Sequence, residues 1–193
     1  MKVLSLVLAL SAAPAFAAPT ATLALIAHNT THRAEQLANS NRIDPHFVDR
    51  AYSVQVTALT KVNPTDPAFK GTLMQVPDAS GQAQAVEILL DDAGKALSFK
   101  AIPGPESRNA PSWPGVDAIS FPEDSMHYLL DNTTKPELKP FLTGLSSVVL
   151  TQIQDATNQP QAKVDIRATG TTDILEIIMG TDGKLVSAKV IKQ

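Results

Sequence analysis

The chain has 193 residues, of which 44% are hydrophobic and 18% are charged, and its formal net charge is −3. This balance excludes wholesale disorder, and the slight excess of acidic residues argues against a protein that binds nucleic acid by neutralising phosphates. The absence of cysteine excludes disulfides, thiolate catalysis, cysteine-ligated zinc and a lipid-modified cysteine anchor.

The N-terminal segment has the pattern of a secretory signal peptide. Lys2 precedes a short apolar run over 3–10, and small residues lead up to Ala17, as cleavage by signal peptidase requires. An uncleaved membrane anchor is the alternative, because residues 3–27 carry no charge, but two prolines interrupt that stretch. We therefore expect removal of residues 1–17, export of the remainder to the periplasm or the extracellular space, and no membrane span in the mature chain.

The first half of the mature chain contains both helical and strand patterns. Residues 31–41 and a short segment over 44–50 have helical patterns, and the alternation over 52–58 indicates a strand, with a helix as the alternative. Residues 69–76 have the composition of a partner strand, and a turn is predicted over 77–81. We expect this turn to lead into a first β-hairpin.

An internal repeat provides the clearest prediction. Residues 86–102 align without gaps on residues 175–191, and seven of the 17 aligned positions are identical. In both copies apolar and polar residues alternate on either side of a glycine, Gly94 or Gly183, which suits a tight turn. The repeat predicts two similar β-hairpins, which reflect either duplication of an α-β-β-β unit or the common sterics of half-buried hairpins.

Two helices and a strand are predicted before the second hairpin. Ser120 and Glu123 have the spacing of a capping box at the start of a short helix. Apolar residues over 140–157 recur with helical spacing and Pro160 follows them, so we expect one main amphipathic helix there, packed on the sheet. A strand is expected over 162–169.

These elements predict an α+β fold, with an antiparallel sheet built from two similar β-hairpins and one main amphipathic helix packed on it. We expect residues 18–193 to form a single domain. The alternative is a division into two halves, 18–103 and 120–193. The halves would be joined by a loop over 103–122 that holds five of the 14 prolines. A loop of this length is typical of a functional segment or a linker.

Trp113, the only tryptophan, lies in this proline-rich loop. A tryptophan on a stiff loop suits a binding contact, because tryptophan is enriched among the residues that dominate interfaces. We therefore predict Trp113 as a binding residue. The alternative is that its side chain folds back onto the core.

Histidines supply the remaining candidates for chemistry. His28 and His32 have the i, i+4 spacing of metal ligands on one helix face, but two ligands do not make a site, and two threonines weaken the helix. The alternative is a pair of solvated histidines in a loosely ordered N-terminal stretch. His127 has Glu123 four residues before it and is a candidate general base. These patterns predict no catalytic residue, no metal site and no cofactor.

The absence of a convergent catalytic set favours an exported, non-catalytic binding or interaction module. Its partner is expected to be a protein or small ligand of the cell envelope, and nucleic acid is not expected. Exposed strand edges offer a second route to a partner besides Trp113. The alternative function is a secreted hydrolase with acid/base residues around His127.

Overall fold

The structure is a computed structural model that describes residues 21–77, 82, 84–104, 113 and 116–193. The predicted signal peptide, most of the predicted turn over 77–81 and half of the proline-rich loop over 103–122 lie outside these residues.

The strands of the described ranges form one antiparallel sheet. They are β1 (Ala51–Ala58), β2 (Phe69–Gln75), β3 (Gln84–Leu90), β4 (Ala96–Pro103), β5 (Leu145–Gln154), β6 (Pro160–Ala168), β7 (Ile174–Gly180) and β8 (Leu185–Ile191). Their order across the sheet is β4-β3-β2-β1-β5-β6-β7-β8. Each half of the chain therefore contributes a four-stranded meander, and the halves meet where β1 pairs with β5, with Val54 opposite Val148. The predicted α+β fold with a hairpin-built antiparallel sheet is confirmed.

Helices precede the strands in each half. They are α1 (Leu23–Asn39), α2 (Phe47–Arg50), α3 (Ser120–Asp131) and α4 (Lys139–Gly144), with a short 3₁₀ helix over Pro136–Leu138. Each half thus has the order helix, helix, then four strands. This is one strand more than in the α-β-β-β unit considered for the repeat. The similar order of elements in the two halves agrees with a duplicated unit.

The core lies between the helices and one face of the sheet. Apolar side chains in register on six adjacent strands form a fully buried row across that face, namely Val86, Leu73, Val54, Val148, Ile166 and Leu175. Together with buried residues of α1 and α3 they form one continuous hydrophobic cluster. This shared core fixes α1 and α3 above the sheet.

Helix α1 begins eight residues earlier than the sequence predicted. Thr22 caps its N-terminus by accepting a hydrogen bond from the backbone N–H of Leu25, at 3.2 Å. The two threonines expected to weaken the helix, Thr30 and Thr31, are buried and donate to the carbonyls of Ile26 and Ala27. Because these bonds satisfy the buried hydroxyls, the predicted loose N-terminal stretch is wrong, and both histidines lie on a regular helix.

The predicted helix over 140–157 is also wrong. The helix α4 ends at Gly144, and the chain continues as strand β5, which pairs with β1 on one side and β6 on the other. Gly144 allows the chain to pass close to Thr169 at this change of direction, since a β-carbon there would lie 2.8 Å from the carbonyl oxygen of Thr169. Pro160 does not end a helix but begins β6, opposite Gln154.

Both predicted hairpins are present, and both turn glycines have positive φ, +82° at Gly94 and +76° at Gly183. The predicted capping box is absent, because Ile119 rather than Ser120 occupies the cap position of α3. The Ser120 hydroxyl instead donates to the carbonyl of Asp117 at 2.7 Å. Glu123 is therefore not engaged in capping.

Candidate metal centre

Helices α1 and α3 face each other in antiparallel directions and bring two pairs of polar residues together. His28 of α1 lies against His127 of α3, and His32, one turn further along α1, lies against Glu123, one turn earlier on α3. Residues four apart on a helix share a face. Two i, i+4 pairs from distant parts of the sequence thus form a single cluster.

The distances within this cluster are those of groups that can share a ligand. The Nε2 atoms of His28 and His127 are 3.1 Å apart. Glu123 Oε1 lies 3.7 Å from Nε2 of His28 and 3.3 Å from Nδ1 of His32. The ligand atoms of His28, Glu123 and His127 all lie within 4.8 Å of one another.

The orientation of the His28 ring is fixed by the residue beside it. Asn29 donates from its side-chain nitrogen to the carbonyl of Gly94, at 2.9 Å, so its amide oxygen is the atom that faces His28. That oxygen lies 3.1 Å from Nδ1 of His28 and accepts its N–H. In the neutral ring Nε2 then carries a lone pair, and this lone pair is directed at the cluster.

Three carboxyl groups around the cluster, those of Glu35, Asp117 and Asp124, have raised pKa values. Burial raises the pKa of Glu35, and repulsion from Glu123 and Asp117 raises it further, although His32 lowers it. The pKa of Asp124 is raised by burial and then by repulsion from Glu123. The pKa of Asp117 is raised mainly by burial. A cation placed among these groups would relieve this repulsion.

This combination of side chains matches the preferences of first-row transition metals. Imidazole suits zinc, copper, iron and nickel, and two histidines with one carboxylate form a three-ligand set that leaves a coordination position open. The side chains of His28 and Glu123 are only 17% and 18% exposed, so an ion would be partly shielded from water.

All four residues stand out in the sequence, but as two separate and incomplete sets, His28 with His32 and His127 with Glu123. The pairs are separated by about ninety residues of sequence, and a single sequence carries no signal for the packing of α1 on α3. The i, i+4 spacing in both pairs was the signal that could have suggested a shared site.

Trp113 lies apart from this cluster, in the core. Its side chain is 2% exposed and packs on Phe121, with ring centroids 5.2 Å apart. This placement matches the alternative in which the tryptophan folds back, and its role as a binding residue stays a prediction.

No family model matches the sequence, and no curated protein matches it. Among solved structures, the chain is similar to one described as a "putative lipoprotein" from Clostridium difficile 630, with 11% sequence identity and a TM-score of 0.32. The similarity covers 80% of this chain and 90% of that one. Within the described ranges, no helix combines the length and the apolar character needed to cross a membrane.

Proposed function

We propose that this chain is an exported metal-binding protein that holds a divalent transition-metal ion between α1 and α3. His28, Glu123 and His127 are the proposed ligands, and the ion is the small ligand that the binding module carries. Export is supported by the signal-peptide pattern at the N-terminus. Zn²⁺ is the probe ion, because Zn²⁺ imposes no geometric preference of its own on a histidine and carboxylate set.

One observation carries this proposal. The chain has four histidines, and three of them meet at one place together with a carboxylate. The Nε2 atoms of His28 and His127 face each other at hydrogen-bond distance. Polar atoms that converge in this way, two of them on the half-buried side chains of His28 and Glu123, need a shared proton or a shared cation.

The test is a calorimetric titration of metal-stripped protein, residues 18–193, with Zn²⁺. We expect the wild type to bind, and we expect His28→Ala and His127→Ala each to weaken binding by at least the roughly 10–100-fold that loss of an outer-shell partner costs. His46→Ala is the matched control, because His46 lies at the start of α2 and pairs with Asp49. Equal affinities for His28→Ala and His46→Ala would contradict the proposal.

Glu123→Gln separates loss of a ligand from loss of the fold. Glu123→Gln removes the repulsion of Glu35 and Asp124 and keeps a side-chain oxygen of the same reach, so we expect the metal-free protein to keep its stability. We expect this variant to unfold at the same or a higher urea concentration while its affinity for Zn²⁺ falls. A variant that retains full affinity would remove Glu123 from the ligand set.

Metal-assisted hydrolysis is the second candidate function, and it retains the predicted importance of His127. Three protein ligands leave a coordination position for water, and a bound transition-metal ion lowers the pKa of that water. The test is hydrolysis of 4-nitrophenyl acetate by the Zn²⁺-loaded protein. Activity above that of the metal-free control, kept in the loaded His46→Ala variant and lost in His127→Ala, would favour the hydrolase; equal rates in all samples would favour binding alone.

A further inference from the structure

His32 has a partner on each of its ring nitrogens. Its Nε2 lies 2.9 Å from the side-chain nitrogen of Gln36. Its Nδ1 lies 3.3 Å from Oε1 of Glu123 and 3.7 Å from Oε2 of Glu35. The two nitrogens of a neutral imidazole play opposite roles, one donating and one accepting, so the direction of either bond determines the other.

Arg33 sets that direction. Its guanidinium donates to Oε1 of Gln36 at 3.1 Å, and a guanidinium has no accepting atom. The amide oxygen of Gln36 is therefore occupied by Arg33, and the amide nitrogen is the atom that faces His32. Because this nitrogen can only donate, Nε2 of His32 accepts, and the proton of the neutral ring lies on Nδ1.

We infer that His32 is a positioning residue of the proposed metal site rather than a ligand itself, because it presents its Nδ1–H to the Glu123 carboxylate at 3.3 Å. This inference rests on the proposed function. A carboxylate has about four accepting positions, so Glu123 can accept this bond and still bind an ion. Metal-binding carboxylates are commonly held by such hydrogen bonds, and loss of the partner weakens metal binding.

Asn29 and His32 then have parallel roles. Asn29 accepts the Nδ1–H of His28 and directs the Nε2 lone pair at the ion, and His32 orients the carboxylate ligand. Both series of contacts begin at a group with one hydrogen-bonding role. The Gly94 carbonyl can only accept, and the Arg33 guanidinium can only donate. The proposed site is thus ordered before any metal binds, which reduces the entropy cost of binding.

A second ion is the competing interpretation. The ligand atoms of His32, Glu35 and Glu123 also lie within 4.8 Å of one another, so Glu123 could bridge two ions. That arrangement needs Nδ1 of His32 without its proton and the Gln36 amide turned away from its bond with Arg33. The two interpretations predict different stoichiometries, one ion per chain or two.

The experiment compares His32→Asn with His32→Ala in the 18–193 chain. The side-chain nitrogen of asparagine takes the place of Nδ1 as a donor, but the amide does not replace imidazole as a metal ligand. Native mass spectrometry with Zn²⁺ gives the stoichiometry, competition titration gives the affinity, and the visible absorption bands of the Co²⁺-loaded protein report the coordination. His46→Asn is the matched control for the substitution.

We expect one ion per wild-type chain, affinity lowered about 10–100-fold in His32→Ala, and affinity and Co²⁺ bands close to wild type in His32→Asn. Two ions per chain, equal losses in the two variants, or altered Co²⁺ bands in His32→Asn would overturn the inference and leave the metal-binding proposal intact. Absence of Zn²⁺ binding by the wild type would instead overturn the proposed function.

Discussion

Trp113 shows at the residue scale how much a side chain's surroundings decide its role. The indole is buried against Phe121, and its Nε1 has no hydrogen-bond partner among the residues that the structure describes. The sequence shows an aromatic residue in a proline-rich segment, but not whether its side chain is presented to a partner or packs inward.

Substitution of Trp113 tests this burial. We expect Trp113→Ala to lower the free energy of unfolding by about 3–5 kcal/mol, because it leaves a large cavity. Trp113→Phe keeps the ring contact and removes an unpaired N–H, so we expect a smaller loss. Urea unfolding followed by circular dichroism measures both. A Trp113→Ala midpoint equal to that of the wild type would show that the side chain lies on the surface, free to contact a partner.

At the scale of elements, the turn glycines made the hairpins predictable, while strand β5 was not. A positive φ at Gly94 and Gly183 has a direct sequence signature. Strand β5 lies in the middle of the sheet, where Val148 is buried on the core face and Val149 is half-buried on the other. Apolar residues on both faces remove the alternation that marks a strand, and the remaining spacing resembles that of a helix.

Helix α1 approaches strand β2 closely where Thr30 lies over Gly71. A β-carbon at Gly71 would lie 2.6 Å from Cγ2 of Thr30, so we expect Gly71→Ala to lower the free energy of unfolding by about 1–3 kcal/mol. Adding Thr30→Ala should recover part of this loss, because it removes the methyl group and the hydroxyl. Urea unfolding of the single and double variants measures the coupling.

Thr31→Ala is the control for this pair. Thr31 is also buried and also donates to a carbonyl one turn earlier, but no atom of Thr31 is among the nearest neighbours of Gly71. We expect the effects of Thr31→Ala and Gly71→Ala to add. Equal coupling to both threonines would mean that Gly71 acts through a general shift of α1 rather than through contact with Thr30.

At the scale of the whole molecule, carboxylates on separate turns contribute to the response to acid. Backbone N–H donors lower the pKa of Asp66 and Asp155. Hydrogen bonds from lysines lower the pKa of Asp173 and Asp182. A carboxyl group with a lower pKa in the folded state binds fewer protons there than in the unfolded state, so stability rises with pH in that range.

We therefore expect the stability contributed by these four carboxylates to be present above their usual pKa of 3.8 and to be lost as the pH falls below it. The measurement is the urea midpoint of metal-free protein from roughly pH 5 to pH 2. Asp155→Asn should reduce the slope, because its carboxylate accepts two backbone N–H bonds. An unchanged slope in this variant would contradict the assignment.

The α+β class and the hairpins could be predicted from the sequence because they depend on local patterns. The candidate site could not, because its two histidine-containing segments meet only through the packing of α1 on α3. Each segment contributed a correct spacing, His28 with His32 and Glu123 with His127, and the incomplete ligand count in each made the separate interpretation reasonable. Long-range contacts of this kind carry no signature in one sequence.

The proposed site lies across the junction between the two halves of the chain. Within the described sheet the two meanders share a single strand pair, β1 with β5, whereas the ligands come from α1 of the first half and α3 of the second. An ion bound there would connect the two halves across the junction. Separating the halves would then require its release, so the work needed to pull them apart would increase with the concentration of free metal.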